Sequence, residues 1–108
     1  MSVALCMIAH DEGEILNRAL VSAKGGFDEL IIAFGNCAHS ATTEVAQRWN
    51  ARIVTHPFTD ANGIINNFAG ARNAAIRATK SEYWWWMDAD EIALPGTILE
   101  LRCHAAAR

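Results

Sequence analysis

The chain has 108 residues, 52% of them apolar, and its 9 basic and 12 acidic side chains give a net charge of −3. That length allows one domain with a modest core. The slight negative charge and scattered Lys and Arg argue against nucleic acid or an anionic membrane surface as the main partner.

Three cysteines, Cys6, Cys37 and Cys103, are odd in number and lack paired spacing. No disulfide framework is indicated, and a reducing, cytoplasmic setting is expected. The longest apolar runs, such as Val3 to Ala9, are too short to span a bilayer. No basic segment precedes an apolar one to mark a signal peptide.

Val3 to Ala9 is a continuous apolar run of strand length, suited to a strand covered on both faces. Asp11 with Glu14 resembles a helix-capping pair. Ile15, Leu16, Ala19, Leu20 and Ala23 recur at helical spacing until Gly25-Gly26 ends the helix. Leu30 to Ala33 reads as a second buried strand, broken by Gly35-Asn36. Ser40 then caps a helix carrying Val45, Ala46 and Trp49. Arg52 to Thr55 is a third strand, closed by His56-Pro57, and Thr59 to Asn67 is a polar loop. Phe68 to Thr79 is an alanine-rich helix with Phe68, Ala71, Ala75 and Ala78 on one face. Tyr83 to Met87 is a fourth strand, and Pro95 opens a last helix through Leu101.

Strand and helix alternate throughout, which predicts an α/β domain with a mostly parallel sheet and helices on both faces. In such sheets ligands bind at the carboxyl ends of strands, where the strand order reverses. A strand order of 3-2-1-4 would make the ends of the first and fourth strands neighbours. The residues just past strand ends therefore carry the chemistry: His10-Asp11-Glu12, Phe34-Gly35-Asn36, His56 and Asp88-Ala89-Asp90.

The run Tyr83-Trp84-Trp85-Trp86-Met87 ends abruptly in Asp88, Asp90 and Glu91. Side chains on an extended segment alternate, so Asp88 and Asp90 are expected to point the same way. Two convergent carboxylates suit a hard divalent cation that shares its ligands with substrate phosphates. The plainer alternative is an exposed acidic turn leading into a helix. There is no P-loop, no G-x-G-x-x-G, no G-x-S-x-G and no H-E-x-x-H. The glycine-rich loop usual in nucleotidyltransferases is also absent after the first strand.

The order of features resembles the family 2 glycosyltransferases, the inverting, Rossmann-like GT-A type that uses nucleotide-sugar donors. The resemblance is carried by Leu5-Cys6-Met7-Ile8 with Asp11-Glu12, and by Phe27 to Ile32. It continues through Phe68-Ala69-Gly70-Ala71-Arg72-Asn73 and closes with Met87-Asp88-Ala89-Asp90-Glu91. It implies that the D-x-D motif holds Mn2+ or Mg2+ against the diphosphate of a UDP- or GDP-linked sugar. Asp90 would ligate the metal, with Asp88 on the ribose or a metal-bound water. Arg72 would lie near the phosphates or base, and Ala9, His10 and Glu12 would border the nucleobase.

Two departures from the family pattern stand out. An aspartate usually follows the second strand and reads the base edge, but this chain has Phe34-Gly35-Asn36-Cys37-Ala38-His39-Ser40. Phe34 offers no acceptor, only a face that stacks on a base or packs. The acceptor half, with the carboxylate that acts as general base, lies well past the D-x-D motif in the family, and nothing after Glu91 supplies it. Residues 1–108 are thus expected to form a single donor-binding domain, truncated and incomplete as a catalyst, with an unknown acceptor. The competing expectation is a non-catalytic interaction module of the same fold, whose uncovered apolar patch favours a homo-oligomer or a partner.

The three tryptophans are expected in the core, although Trp84 and Trp86 share the Asp88 side. His10, His39 and His56 read as solvated loop residues, and Cys6 as a small buried apolar one.

Overall fold

The computed structural model describes residues 2–9, 13–35, 40–58 and 67–93, apart from the side chain of Ser40. Within them are β1 (Val3–Ala9), α1 (Gly13–Ala23), β2 (Glu29–Phe34), α2 (Ser40–Arg48), β3 (Arg52–Thr55), α3 (Phe68–Arg77) and β4 (Tyr83–Trp86). The predicted capping residue Asp11 and the last helix from Pro95 lie outside the described residues.

The four strands form one parallel sheet in the order β3-β2-β1-β4. β1 is central, pairing Leu5 with Leu30 on one side and with Trp85 on the other. Strand alternation sends its residues into two cores. Leu5, Met7 and Ala9 join Leu30, Ile32 and Phe34 beneath α1 (Leu16, Ala19, Leu20, Ala23) and α2 (Val45, Ala46). Ala4, Cys6, Ile31 and Ala33 face Ala75 of α3 on the opposite side. With helices on both faces, β1 and β2 are buried almost throughout, which is why both read as unbroken apolar runs.

The helices end as local chemistry requires. After α1, Gly25 takes φ +89°, a left-handed conformation that glycine adopts at no steric cost. After α2, Asn50 does the same at φ +55°, so Trp49 stands just past the helix rather than within it. Its indole N–H donates to Asn17 Oδ1 at 3.0 Å, tying α2's exit to α1. Asn67 caps α3 by accepting from the Gly70 amide at 3.0 Å.

Two acids at the amino end of the sheet lock the chain's turns. Asp28 Oδ2 accepts from the Val3 amide at 2.9 Å, while the Asp28 amide donates to Val3 O at 2.7 Å. Glu29 Oε1 accepts from Thr79 Oγ1, the Lys80 amide and Ser81 Oγ at 3.0, 3.0 and 2.8 Å. Burial alone would push Glu29 up. The Lys80 amide, the Ser81 and Thr79 hydroxyls and the Arg52 guanidinium outweigh it, holding the carboxyl below its ordinary value.

Some expectations change in three dimensions. Only Ala71 and Ala75 of the predicted α3 face are buried. Phe68, in the first turn, is 59% exposed and so is not part of the core. Trp85 packs against the larger core and donates to Gly26 O at 3.0 Å. Trp84 is 48% exposed on the other face of β4, one of the two edge strands of the described sheet, so it is not core. His56 is not a solvated loop residue either, since it is buried. Its Nδ1 accepts from the Phe58 amide at 3.2 Å, which puts the proton of the neutral ring on Nε2. That atom has no partner among the described residues, and burial lowers the ring's pKa.

Candidate functional site

In a parallel sheet followed by helices, the strands' carboxyl ends and the helices' first turns gather at one edge. Here they enclose a hollow of about 390 Å3 lined by Ile8, Ile15, Phe68, Arg72, Asp88, Ala89 and Asp90. That volume falls within the range of small-molecule clefts, about 300–1,000 Å3. Ile8 comes from the end of β1 and Ile15 from the first turn of α1. Phe68 and Arg72 come from the first turns of α3, and the acids from the segment after β4.

A larger cavity of about 530 Å3 lies at the opposite edge, bordered by Asp28, Glu29, Arg52 and Lys80. Its carboxylates are already engaged by the main-chain amides and hydroxyls described above. They brace turns, so the smaller hollow is the chemical candidate.

Asp88 and Asp90 reach one hollow, but not through strand alternation. β4 stops at Trp86, and the next residues turn: the Glu91 amide donates to Asp88 O at 3.0 Å. Glu91 Oε1 accepts in return from the Asp88 amide at 2.7 Å. This reciprocal pair fixes the turn from within, with Ala89 buried beneath it. Both aspartates stay exposed. Asp88 Oδ1 accepts from the Trp86 indole N–H at 3.1 Å, and the Arg72 guanidinium lies 5.4 Å from the centre of the same indole, a cation–π distance.

The other expected site residues are placed differently. Ala9 is buried in the larger core and adds no side chain to the hollow. Phe34 is also buried there, 2% exposed; its ring packs under α1 and α2 and has no free face for a base. His10 and Glu12 lie outside the described residues. Sequence reasoning missed Ile8, Ile15, Phe68 and Ala89 as lining and Glu91 as a support, whereas Trp86 was already expected on the Asp88 side. Helical spacing groups Ile15 with Leu16, Ala19, Leu20 and Ala23, but Ile15 is exposed and lines the hollow, while the other four are buried.

A divalent cation can be tested against this donor set. Among the described residues no three His, Cys, Asp or Glu side chains converge as an all-protein cage requires. Two carboxylates are present, and no described residue hydrogen-bonds to Asp90's carboxylate oxygens or to Asp88 Oδ2. Mg2+-type sites commonly use one or two carboxylates and complete their shell with water and substrate phosphates. The residues fit that kind of ion.

No helix among the described residues is long and apolar enough to cross a membrane. The sequence profile described as Glycosyl transferase family 2 matches residues 4–106. A curated TPR repeat-containing protein of Synechococcus elongatus is 35% identical over 100 residues, covering 93% of this chain and 23% of that protein. The chain thus spans about a quarter of that relative's length.

Among solved structures, S. aureus TarS 1–349 is similar with a TM-score of 0.75 at 13% identity, over 99% of this chain and 33% of that one. Glucosyl-3-phosphoglycerate synthase from Mycobacterium tuberculosis, in complex with UDP, gives 0.62 at 20% identity, over 84% and 34%. A second structure of that enzyme, with the same figures, contains Mn2+, UDP and phosphoglyceric acid. At these identities the likeness establishes the fold, the Rossmann-like GT-A architecture. With the family profile spanning nearly its whole length, the chain belongs to glycosyl transferase family 2.

Proposed function

We propose that this chain is the donor-binding half of an inverting glycosyltransferase, taking a UDP- or GDP-linked sugar through a divalent cation at Asp88-Ala89-Asp90. The observation that carries the reading is the convergence of Arg72, Asp88 and Asp90 on one hollow at the carboxyl edge of the sheet. Membership of the family supports it, as does the Mn2+ and UDP held by the mycobacterial enzyme of the same fold.

In this reading Asp90 and Asp88 hold Mn2+ or Mg2+. When bound, the cation supplies Lewis-acid stabilisation of the charge that grows on the departing nucleoside diphosphate. Arg72 presents a planar fork to phosphate oxygens. Glu91 keeps the acid turn closed, so that both aspartates stay in place without reorganising. The exposed faces of Ile8, Ile15 and Phe68 give the hollow an apolar wall that keeps water off one side of a bound donor. The base carboxylate that activates an acceptor is assigned to sequence outside this chain, and a hexosyl group would be transferred only in a longer protein.

Calorimetric titration of UDP and of GDP, with and without Mn2+, tests the proposal. Metal-dependent heat that disappears in Asp90→Ala is expected. No such heat, or heat indifferent to Asp90→Ala, overturns it. The 108-residue chain alone is expected to transfer no sugar, and measurable turnover would refute that part.

A second reading, a non-catalytic interaction module of the same fold, draws on the burial of Phe34 where relatives usually place a base-reading aspartate. Tight nucleotide binding by a chain that sediments as a monomer excludes it.

A further inference from the structure

Trp86 does not border the hollow, yet its indole touches two residues that do. It ends β4 on the face shared with Cys6 and α3. Its N–H donates to Asp88 Oδ1 at 3.1 Å, and Arg72 lies 5.4 Å from its ring centre. Arg72 and Asp88 line the hollow, and Trp86 does not.

An arginine and an aspartate sharing a small hollow would ordinarily close into a bidentate pair. That pair would cancel both charges and make the guanidinium compete with any cation for the carboxylate. Among the described residues Arg72 and Asp88 form no such ion pair. The indole supplies each with a different contact instead. Its π-face attracts the guanidinium without using any N–H, so all five donors stay available to an anion. Its N–H engages only Oδ1, leaving Oδ2 without a partner among the described residues.

We infer that Trp86 is a positioning residue that keeps Arg72 and Asp88 oriented but unpaired, so that the carboxylate stays open to a divalent cation and the guanidinium to the donor diphosphate. The inference rests on the donor-site reading above.

The experiment separates the two contacts. Trp86→Phe keeps a ring for Arg72 and removes the N–H; Trp86→Leu removes both. Benzothienylalanine at position 86 keeps the shape and lacks only the N–H. Each is titrated with Mn2+ alone, with UDP and GDP alone, and with each nucleotide in saturating Mn2+, alongside Asp90→Ala. Matched thermal unfolding shows which variants are folded.

In Trp86→Phe and the benzothienyl variant, the Mn2+-dependent gain in nucleotide affinity is expected to fall roughly five-fold, the loss of one hydrogen bond. Metal-free nucleotide affinity should hold. In Trp86→Leu both fall. A space-filling role would not move one further readout, the indole 1H–15N resonance. That of Trp86 is expected to shift on adding Mg2+ with nucleotide, while those of Trp49 and Trp85 stay.

Wild-type affinities in the Phe and benzothienyl variants, with metal dependence lost in Asp90→Ala, overturn the role of Trp86 and leave the donor site standing. No metal-dependent binding in the unaltered chain overturns both.

Discussion

On one face of the sheet Leu5, Met7, Leu30, Ile32 and Phe34 meet α1 and α2 through large side chains. On the other, Ala4, Cys6, Ala33 and Ala75, with Ile31 the one large buried side chain among them, let α3 approach until its Cα atoms come within 8 Å of those of β1 and β2. The large-residue face removes the greater apolar area and supplies most of the hydrophobic stabilisation. The small-residue face gives up area for proximity. It brings Arg72, one turn before Ala75, over the Trp86 ring at the sheet edge. One face holds the fold together; the other aligns the hollow.

This contrast can be broken by substitution. Leu5→Ala, at a fully buried central position, is expected to cost about 3 kcal/mol. Denaturant unfolding measures it, and nucleotide affinity per folded molecule should be unchanged. Ala75→Val overpacks the small-residue face and should cost about 2 kcal/mol. It should also weaken Mn2+-dependent nucleotide binding, because α3 must retreat and take Arg72 with it. If Ala75→Val lowers stability but leaves affinity intact, the division of labour between the faces is wrong.

Smaller effects sharpen the picture away from the hollow. Glu29→Gln removes the charge that three donors share, for an expected loss of about 1.5 kcal/mol. Glu29's folded pKa lies below its ordinary 4.5. Its contribution is therefore present above pH 4.5 and lost as pH falls below that value through the folded pKa. His56 acts at higher pH. Its folded pKa lies below 6.5, so the unfolded chain protonates first, and stability should decline as pH falls from 6.5. Thermal unfolding across that window should be flatter in His56→Gln.

Cys6 gives the smallest signal. Burial, with Glu29's charge adding to it, pushes its thiol up to about 11. A thiol reagent at neutral pH should leave Cys6 unmodified in the folded protein, and rapid modification would show that α3 lifts from the sheet.

Much of this was legible along the chain. The unbroken apolar runs at Val3 to Ala9 and Leu30 to Ala33 announced strands covered on both sides, and the alternation of elements implied a parallel sheet. Asp88 and Asp90 were recognisable because an apolar strand gave way to acids where such sheets bind ligands. The reason for their convergence was not legible: a strand would have aligned them by alternation, whereas a turn closed by Glu91 does so here. Phe34 reads as core more readily than as a stacking ring, and its packing beneath α1 and α2 places it in the core. His56 looked solvated because histidine after a short strand usually is.

The order of apolar and polar residues by itself determined which segments become strands and helices, because burial on two faces demands continuous apolar runs and a helix demands a stripe. Tertiary structure alone decided which distant side chains share an edge. Trp86, Arg72 and Asp88 meet only after α3 settles against small residues on one face of the sheet. That closeness depends on volumes contributed by two neighbouring strands and a helix, which no local pattern encodes.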